Sequence, residues 1–156
     1  VGMYLNSDIS KIDGVMLSPL KVIKVSGGDV FRAIKNDDSG YCGFGEAYFS
    51  TVHSGAVKAW KRHREMSLNL VVPSGRIRFV VYDDRQNSGS YGRFGEIILS
   101  IDNYYRLTLP PMLWVGFQGV SEHTSMLLNI ANIQHRESEA ERKELNEINY
   151  DWEFVR

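Results

Sequence analysis

A series of short apolar segments, separated by turn-forming residues at near-regular intervals, constrains this chain more than any other feature. The strand-like segments lie at residues 15–25, 30–34, 46–52, 57–63, 68–72, 76–82, 95–99, 105–109, 113–119 and 126–130. The turn-forming clusters between them lie at residues 36–40, 54–55, 73–75, 87–90, 102–103 and 110–111. Many short strands with frequent turns are typical of an antiparallel sandwich or barrel, so we predict an all-β protein.

One short helix is predicted, at the C-terminal end. Ser138 is followed three residues later by Glu141, as in a capping box, and residues 138–148 are rich in Glu, Ala, Lys and Leu. We see no repeat, low-complexity tract or linker, so the 156 residues form a single domain. We divide it into an N-terminal strand or arm (1–27), a barrel (28–134) and a C-terminal helix and tail (135–156).

Composition excludes several classes of protein. A formal net charge of -1 argues against a nucleic-acid partner, which usually requires a basic excess. No apolar stretch approaches the roughly 18 residues that span a bilayer, and the N-terminal residues lack the pattern of a signal peptide. Cys42 is the only cysteine, which excludes an intramolecular disulfide. We therefore expect a cytoplasmic protein with no membrane association.

The spacing that begins at Gly55 resembles half of a cupin metal motif, in which the order is Gly, His, His, Glu and Gly. The matching positions here are Gly55, Lys61, His63, Leu68 and Gly75. A third metal-binding His of that pattern corresponds to Val115, which cannot bind a metal. Because a metal site needs three or four converging donors, His63 alone predicts a cupin barrel without a metal or any other cofactor. The other histidines, His53, His123 and His135, lie outside the ligand positions.

Longer stretches resemble the dTDP-4-dehydrorhamnose 3,5-epimerase family. Residues 75–92 (GRIRFVVYDDR, then SYG) are similar to its Gly, apolar alternation, Asp-x-Arg and Ser-x-x-Gly stretch. Residues 109–117 (LPPMLWVGF) are similar to its Pro-x-Gly-Phe-Ala-His-Gly-Phe segment, and residues 58–61 stand where the family has Arg-Gly-Leu-His. The resemblance runs from about residue 28 to 152. It implies an antiparallel jelly-roll (cupin) barrel that acts, without metal, on a nucleotide-linked 4-keto-6-deoxy sugar, and a homodimer that exchanges N-terminal strands.

Several family positions are altered in this chain. Lys61 stands at the family's catalytic His, Val115 at a second His, Leu68 at a Lys and Phe79 at an Asp, while the family's Tyr acid aligns with Leu128. Epimerisation at both carbon 3 and carbon 5 needs proton donors that these positions no longer supply. The resemblance therefore favours an epimerase that inverts one carbon, in deoxysugar or O-antigen-type polysaccharide biosynthesis.

The predicted catalytic residues are His63, Lys61 and Tyr48. Lys61 and His63 are two residues apart on one strand, so they share a face. His63 is suited to remove a proton near neutral pH, and Lys61 to stabilise the enolate that forms. Tyr48 is preferred over Tyr41 and Tyr82 as the proton donor, because its strand is expected to lie beside that of His63.

Further residues are predicted to bind the substrate, through phosphate contacts, stacking or hydrogen bonds. They are Arg32, Glu46, Lys58, Trp60, Arg62, Trp114 and Asn129. The aromatic residues among them could equally belong to the core, and the basic ones to a solvated strand face. No partner that orients His63 can be identified, although Glu46, Glu144 and Glu147 are candidates. A sugar-nucleotide 3,4-ketoisomerase and a non-catalytic sugar-binding cupin remain as alternatives.

Overall fold

The computed structural model describes residues 8–154. Within this range the chain forms twelve β-strands: β1 (Met16–Pro19), β2 (Val22–Ile23), β3 (Val30–Phe31), β4 (Glu46–Val52), β5 (Val57–His63), β6 (Leu68–Ser74), β7 (Arg76–Tyr82), β8 (Phe94–Ser100), β9 (Tyr105–Leu109), β10 (Trp114–Gly119), β11 (Ser125–Ala131) and β12 (Ala140–Arg142). Short 3-10 turns lie at Ile9–Lys11, Glu137–Glu139 and Leu145–Glu147.

The strands form two five-stranded sheets and a small hairpin. The first sheet has the order β1-β9-β6-β11-β4, the second has the order β12-β5-β10-β7-β8, and β2 pairs with β3. All of these pairings are antiparallel. One apolar cluster contains residues from both sheets, so the sheets pack face to face around a shared core. The predicted all-β jelly-roll barrel is confirmed.

Strand alternation decides which side chains enter this core. On β7, Ile77, Phe79 and Val81 belong to the cluster between the sheets, whereas Arg78 and Val80 point to the opposite side. Successive strand residues point to opposite faces, so the same strand supplies both sides of its sheet. The second sheet is therefore covered on both faces.

The outer face of the second sheet is covered by the C-terminal segment. This aromatic layer consists of Trp60, Val80, Trp114 and Ile148, with Tyr82, Phe94, Tyr150 and Trp152 packed against them. Gly116 makes the contact possible, since a Cβ atom there would lie 3.0 Å from the Trp152 ring. Arg78 donates a hydrogen bond of 2.7 Å to the Trp152 carbonyl oxygen. The C-terminal segment is thus fixed to the sheet by both packing and hydrogen bonds.

The predicted helix over residues 138–148 is wrong. Residues 140–142 form β12, which pairs with β5 and places Ala140 opposite His63. Ser138 lies in a 3-10 turn, and the capping box that does form joins Glu144 to Glu147 at the last short turn. Pairing with the edge of β5 outweighs the helix propensity of this Glu-, Ala- and Lys-rich segment, because propensity is a weak term beside tertiary contacts.

The N-terminal segment forms two short strands where the sequence predicts one over residues 15–25. β1 is an edge strand of the first sheet and pairs with β9 of the same chain. The chain then turns at Leu20, whose N–H donates to the Tyr104 carbonyl oxygen, and β2 continues into the separate hairpin. No helix among residues 8–154 is long and apolar enough to cross a membrane.

Candidate active site

A cavity of about 620 Å³ opens between the inner faces of the two sheets. Its lining combines apolar side chains with polar and charged ones. The residues are Tyr48, Ser50, Lys58, Ala59, Trp60, Lys61, His63, Leu68, Leu70, Phe79, Val115, Phe117, Leu127, Asn129, Arg142, Lys143, Glu144 and Glu147. This volume suits a small molecule or one part of a larger ligand.

An irregularity in β5 brings three basic side chains to the cavity. Val115 and Phe117 of β10 pair with Lys61 and Lys58, so two residues of β5 lie opposite a single residue of β10. This is the geometry of a β-bulge, which changes the alternation of the strand. Lys58, Lys61 and His63 therefore all face the cavity, as the sequence predicts for the last two.

His63 is oriented by Glu139, a residue that the sequence did not single out. Its Nδ1 lies 2.6 Å from Glu139 Oε1, and both side chains are buried. Glu139 Oε2 accepts hydrogen bonds from the backbone N–H groups of Glu65 and Met66, which fix the carboxylate. An ionised carboxylate only accepts hydrogen bonds, so Nδ1 carries the proton and Nε2 keeps its lone pair.

No sequence signal distinguishes Glu139 from its acidic neighbours. The segment from 137 to 147 contains Glu at five positions, and Glu144 and Glu147 lie in the cavity wall rather than beside the imidazole. Only the register of β12 on β5, with Ala140 opposite His63, selects Glu139. Such a register depends on two strands that are far apart in the sequence.

Burial and Glu139 have opposite effects on the pKa of His63. Burial lowers this pKa below the ordinary value of 6.5, and the hydrogen bond and charge of Glu139 only partly counteract it. Neutral His63 is thus favoured in the folded protein, so its contribution to stability is present above about pH 6.5 and is lost as the pH falls. Burial opposes ionisation of Glu139, but hydrogen bonds from His63, Met66 and Glu65 outweigh it and lower the pKa of that carboxyl group.

Lys61 is a partly buried cation beside a second cation. Burial is the main cause that lowers the pKa of Lys61, and the charge of Arg142 lowers it further, whereas Glu139 and Glu46 raise it. Arg142 is the cross-strand partner of Lys61 on β12 and also lines the cavity. Like charges at paired strand positions repel one another, so an anion bound between them would be stabilised.

Tyr48 and Asn129 face the cavity from the first sheet. Tyr48 on β4 pairs with Asn129 on β11, and Asn129 Nδ2 donates a hydrogen bond of 2.9 Å to the Tyr48 hydroxyl oxygen. The expectation that the Tyr48 strand lies beside that of His63 is wrong, because β4 and β5 belong to different sheets. Tyr48 nevertheless lines the same cavity from the opposite side.

The cavity lining is apolar at three positions where the family resemblance implies polar residues. Val115, Leu68 and Phe79 all line the cavity, as their alignment with family catalytic positions predicts. Leu128 does not, because strand alternation directs its neighbours Leu127 and Asn129 inward. Leu128, which aligns with the family's Tyr acid, therefore does not face the cavity.

Arg62 and Trp114 lie on the outer face of the second sheet. Arg62 forms ion pairs with Asp84 and Glu141, and its guanidinium group lies 4.6 Å from the Trp114 ring centroid. Trp114 is buried and donates its indole N–H to Asp84. The sequence predicts that both contact substrate, but the alternation of β5 and β10 directs them away from the cavity.

Trp60 borders the cavity, yet its ring belongs to the aromatic layer. It is almost completely buried, donates its indole N–H to the Leu145 carbonyl oxygen and packs against Tyr150 and Trp152. Trp60 thus has a core role, which is the commoner role for a buried tryptophan, and its contact with substrate stays a prediction.

The other two predicted binding residues lie outside the cavity lining. Glu46, at the start of β4, is close enough to influence the charge of Lys61. Arg32 follows β3 and borders a second cavity of about 580 Å³, away from His63. Among residues 8–154, no three His, Cys, Asp or Glu side chains come together in a way that could hold a metal ion. The absence of a metal cofactor stays a prediction.

Comparison with known proteins identifies the family. The sequence profile of dTDP-4-dehydrorhamnose 3,5-epimerase matches residues 11–155. The chain belongs to this family. A crystal structure of a dTDP sugar isomerase from Desulfovibrio desulfuricans superposes with a TM-score of 0.87 and 38% identity, covering 90% of this chain and 92% of that one. The predicted family and its cupin fold are confirmed.

Two curated relatives are also similar in sequence. The probable low-salt glycan biosynthesis epimerase Agl13 of Haloferax volcanii is 33% identical over 84 residues, which are 53% of this chain and 54% of Agl13. The matched region is thus about half the length of that relative. The spore coat polysaccharide biosynthesis protein SpsL of Bacillus subtilis is 22% identical over 145 residues, 90% of this chain and 96% of SpsL.

Proposed function

We propose that this member of the epimerase family inverts carbon 3 of a nucleotide-linked 4-keto-6-deoxyhexose, in the biosynthesis of a deoxysugar-containing polysaccharide. The observation that carries the proposal is the buried His63–Glu139 pair at a cavity that Lys61 also lines. The dTDP sugar isomerase from Desulfovibrio and the glycan and polysaccharide biosynthesis proteins named above support the substrate class.

The chemistry follows from the groups that face the cavity. The 4-keto group acidifies the hydrogen on carbon 3, and His63 Nε2 takes that proton while the electron pair moves to the ketone oxygen. Lys61 stabilises the resulting enolate, since a fixed positive charge at developing negative charge lowers the barrier in a water-poor site. The Tyr48 hydroxyl then protonates carbon 3 from the opposite face. Solvent finally removes the proton from His63 and returns one to Tyr48.

The distribution of polar groups favours inversion of one carbon. The base, His63, lies on the second sheet, and the proton donor, Tyr48, lies on the first, so the sugar would be held between them. Leu68, Phe79 and Val115 also line the cavity and can neither donate nor accept a proton. One base and one acid on opposite sides of the sugar suffice for a single inversion, which is the proposed reaction.

The nucleotide diphosphate would be held by cationic side chains of the cavity lining. Lys58 lines the cavity, and its amino group donates a hydrogen bond of 2.7 Å to the Thr51 carbonyl oxygen on the other sheet. Arg142 has a guanidinium group that can bind a phosphate in bidentate fashion. Arg142 thus joins Lys58, which the sequence already predicts, as a candidate for the phosphate contacts, whereas Arg32 and Arg62 lie outside the cavity lining.

A homodimer and a cytoplasmic location complete the proposal. Apolar residues of the β2–β3 hairpin are solvent-exposed in the single chain, among them Ile23, Val30 and Phe31. A second copy would cover them, and pairing would also protect the exposed edge strands. Light scattering at micromolar concentration is expected to give the mass of a dimer, and a monomer would contradict this part.

Isotope exchange tests the proposed reaction. With a dTDP-linked 4-keto-6-deoxyhexose in heavy water, we expect deuterium at carbon 3, an inverted product and no label at carbon 5. A 3,4-ketoisomerase would instead move the carbonyl group, and a sugar-binding protein without activity would leave the substrate unlabelled. Labelling at both carbons would show the double epimerisation. Metal analysis of the purified protein should find no stoichiometric zinc, iron or manganese.

A further inference from the structure

The side-chain amide of Asn129 has an unusual environment. Asn129 is 3% exposed and lines the cavity, yet its Oδ1 atom has no hydrogen-bond partner among the described residues. Buried polar atoms in folded proteins are almost always paired, because leaving one unpaired is costly. An unpaired acceptor in a cavity wall therefore marks a place where a ligand donor can bind.

The other end of the same amide contacts Tyr48. Asn129 Nδ2 donates to the Tyr48 hydroxyl oxygen at 2.9 Å, and the two residues are direct cross-strand partners on β11 and β4. Because the phenol oxygen accepts this bond, its own hydrogen is free to point elsewhere. The described residues offer it no other hydrogen-bond partner, and Tyr48 lines the cavity.

The positions of β4 and β11 in the first sheet explain what the hydrogen bond between Asn129 and Tyr48 does. β4 is the edge strand of the first sheet, and Tyr48 is 41% exposed. β11 lies between β6 and β4, and Asn129 is held by pairing on both sides. A buried residue of the inner strand thus holds a more exposed side chain at the edge, which is how positioning residues support a reacting group.

We propose that Asn129 is a positioning residue with two roles. Its Nδ2 group holds the Tyr48 phenol as a hydrogen-bond acceptor, so that the phenolic hydrogen is directed to the substrate, and its Oδ1 atom accepts a hydrogen bond from a sugar hydroxyl group. This inference rests on the proposed function, since it assigns Tyr48 as the proton donor. It adds the direction of the Tyr48 hydrogen bond and a binding contact for the sugar.

The direction of the hydrogen bond can be reversed by a change of almost no volume. In Asn129→Asp a carboxylate faces the phenol, accepts the Tyr48 hydrogen and withdraws it from the substrate. His63 can still remove the carbon 3 proton and return a deuteron to the same face. We expect inversion to fall at least tenfold, with deuterium exchange at carbon 3 within about threefold of wild type. Tyr48→Phe should have the same effect, with inversion lost and deuterium exchange at carbon 3 largely kept.

A second variant tests the sugar contact. Asn129→Leu removes both hydrogen-bonding groups, so we expect KM for the dTDP-linked 4-keto-6-deoxyhexose to rise about five- to tenfold, together with a lower ratio of inversion to exchange. Asn36→Asp, in the exposed turn before β4, is the matched control for an added carboxylate and should behave as wild type.

The outcomes separate this inference from the proposed reaction. Wild-type protein that neither exchanges nor inverts would show that the proposed function is wrong. Wild-type protein that does both, with Asn129→Asp unchanged, would overturn the role of Asn129 alone. Equal losses of exchange and inversion in Asn129→Asp and Asn129→Leu, with KM unaltered, would indicate that Asn129 only maintains the fold.

Discussion

The two faces of the second sheet are built from the same strands but differ in chemistry. On β5, Lys61 and His63 face the cavity, whereas Trp60 and Arg62 belong to the outer side. On the outer side Arg62 is paired within the protein, through ion pairs with Asp84 and Glu141. The inner side leaves groups available to a ligand. Successive residues of a strand point to opposite faces. Neighbouring residues of β5 can therefore have unrelated roles, one in stability and the next in catalysis.

The largest expected effect is a loss of stability caused by a substitution on the outer face. Trp60→Ala removes a fully buried ring from the aromatic layer and should lower the free energy of unfolding by about 3–5 kcal/mol. Chemical denaturation measures this change. A loss below about 1 kcal/mol would show that the C-terminal segment contributes little to the stability of the sheet.

On the inner face the largest effect should come from His63→Asn. Asparagine keeps some hydrogen bonding but cannot act as the base, so turnover should fall roughly a hundredfold or more, with little change in affinity for dTDP. Steady-state kinetics and calorimetry measure the two quantities. Deuterium exchange at carbon 3 at the wild-type rate in this variant would show that His63 is not the base, and Tyr48 and Glu46 would then be the first candidates.

Glu139→Gln should alter the pH dependence as well as the rate. Activity requires neutral His63, so it is lost as the pH falls through the pKa of that residue, which lies below 6.5. Glutamine removes the charge that raises this pKa, so the acid limb should move to lower pH while the maximal rate falls on the order of tenfold. The pH profile of turnover measures both. An acid limb that moves to higher pH would contradict the assignment.

The smallest expected effect is on dTDP affinity, and it is tested by comparing two neighbouring cations on opposite faces of β5, Lys61 and Arg62. Lys61→Met should weaken dTDP binding roughly fivefold and also lower turnover, because it removes a cation from the cavity. Arg62→Met should leave dTDP affinity within about twofold and lower stability by about 1–3 kcal/mol through its lost ion pairs. Titration calorimetry decides between them, and equal affinity losses would place both cations near the ligand.

The sequence by itself determined the fold class and much of the inner face. Apolar segments separated by turns predicted the barrel, and residue spacing placed Lys61 and His63 on one side of a strand. The family resemblance also directed Leu68, Phe79 and Val115 to the cavity. The strand pattern and the shared face of Lys61 and His63 depend on period-two alternation and local turn chemistry, which are properties of short stretches of chain, whereas the other three positions follow from the resemblance alone.

Only the tertiary structure decided which distant residues meet. The partner of His63 depends on the register of β12 on β5, and the same pairing replaced the predicted helix with a strand. Tyr48 reaches the cavity across the barrel, and the outer face on which Trp114 lies is buried because the C-terminal segment covers it. Strand register and sheet packing are set by the sum of many long-range contacts, so no local pattern in the sequence encodes them.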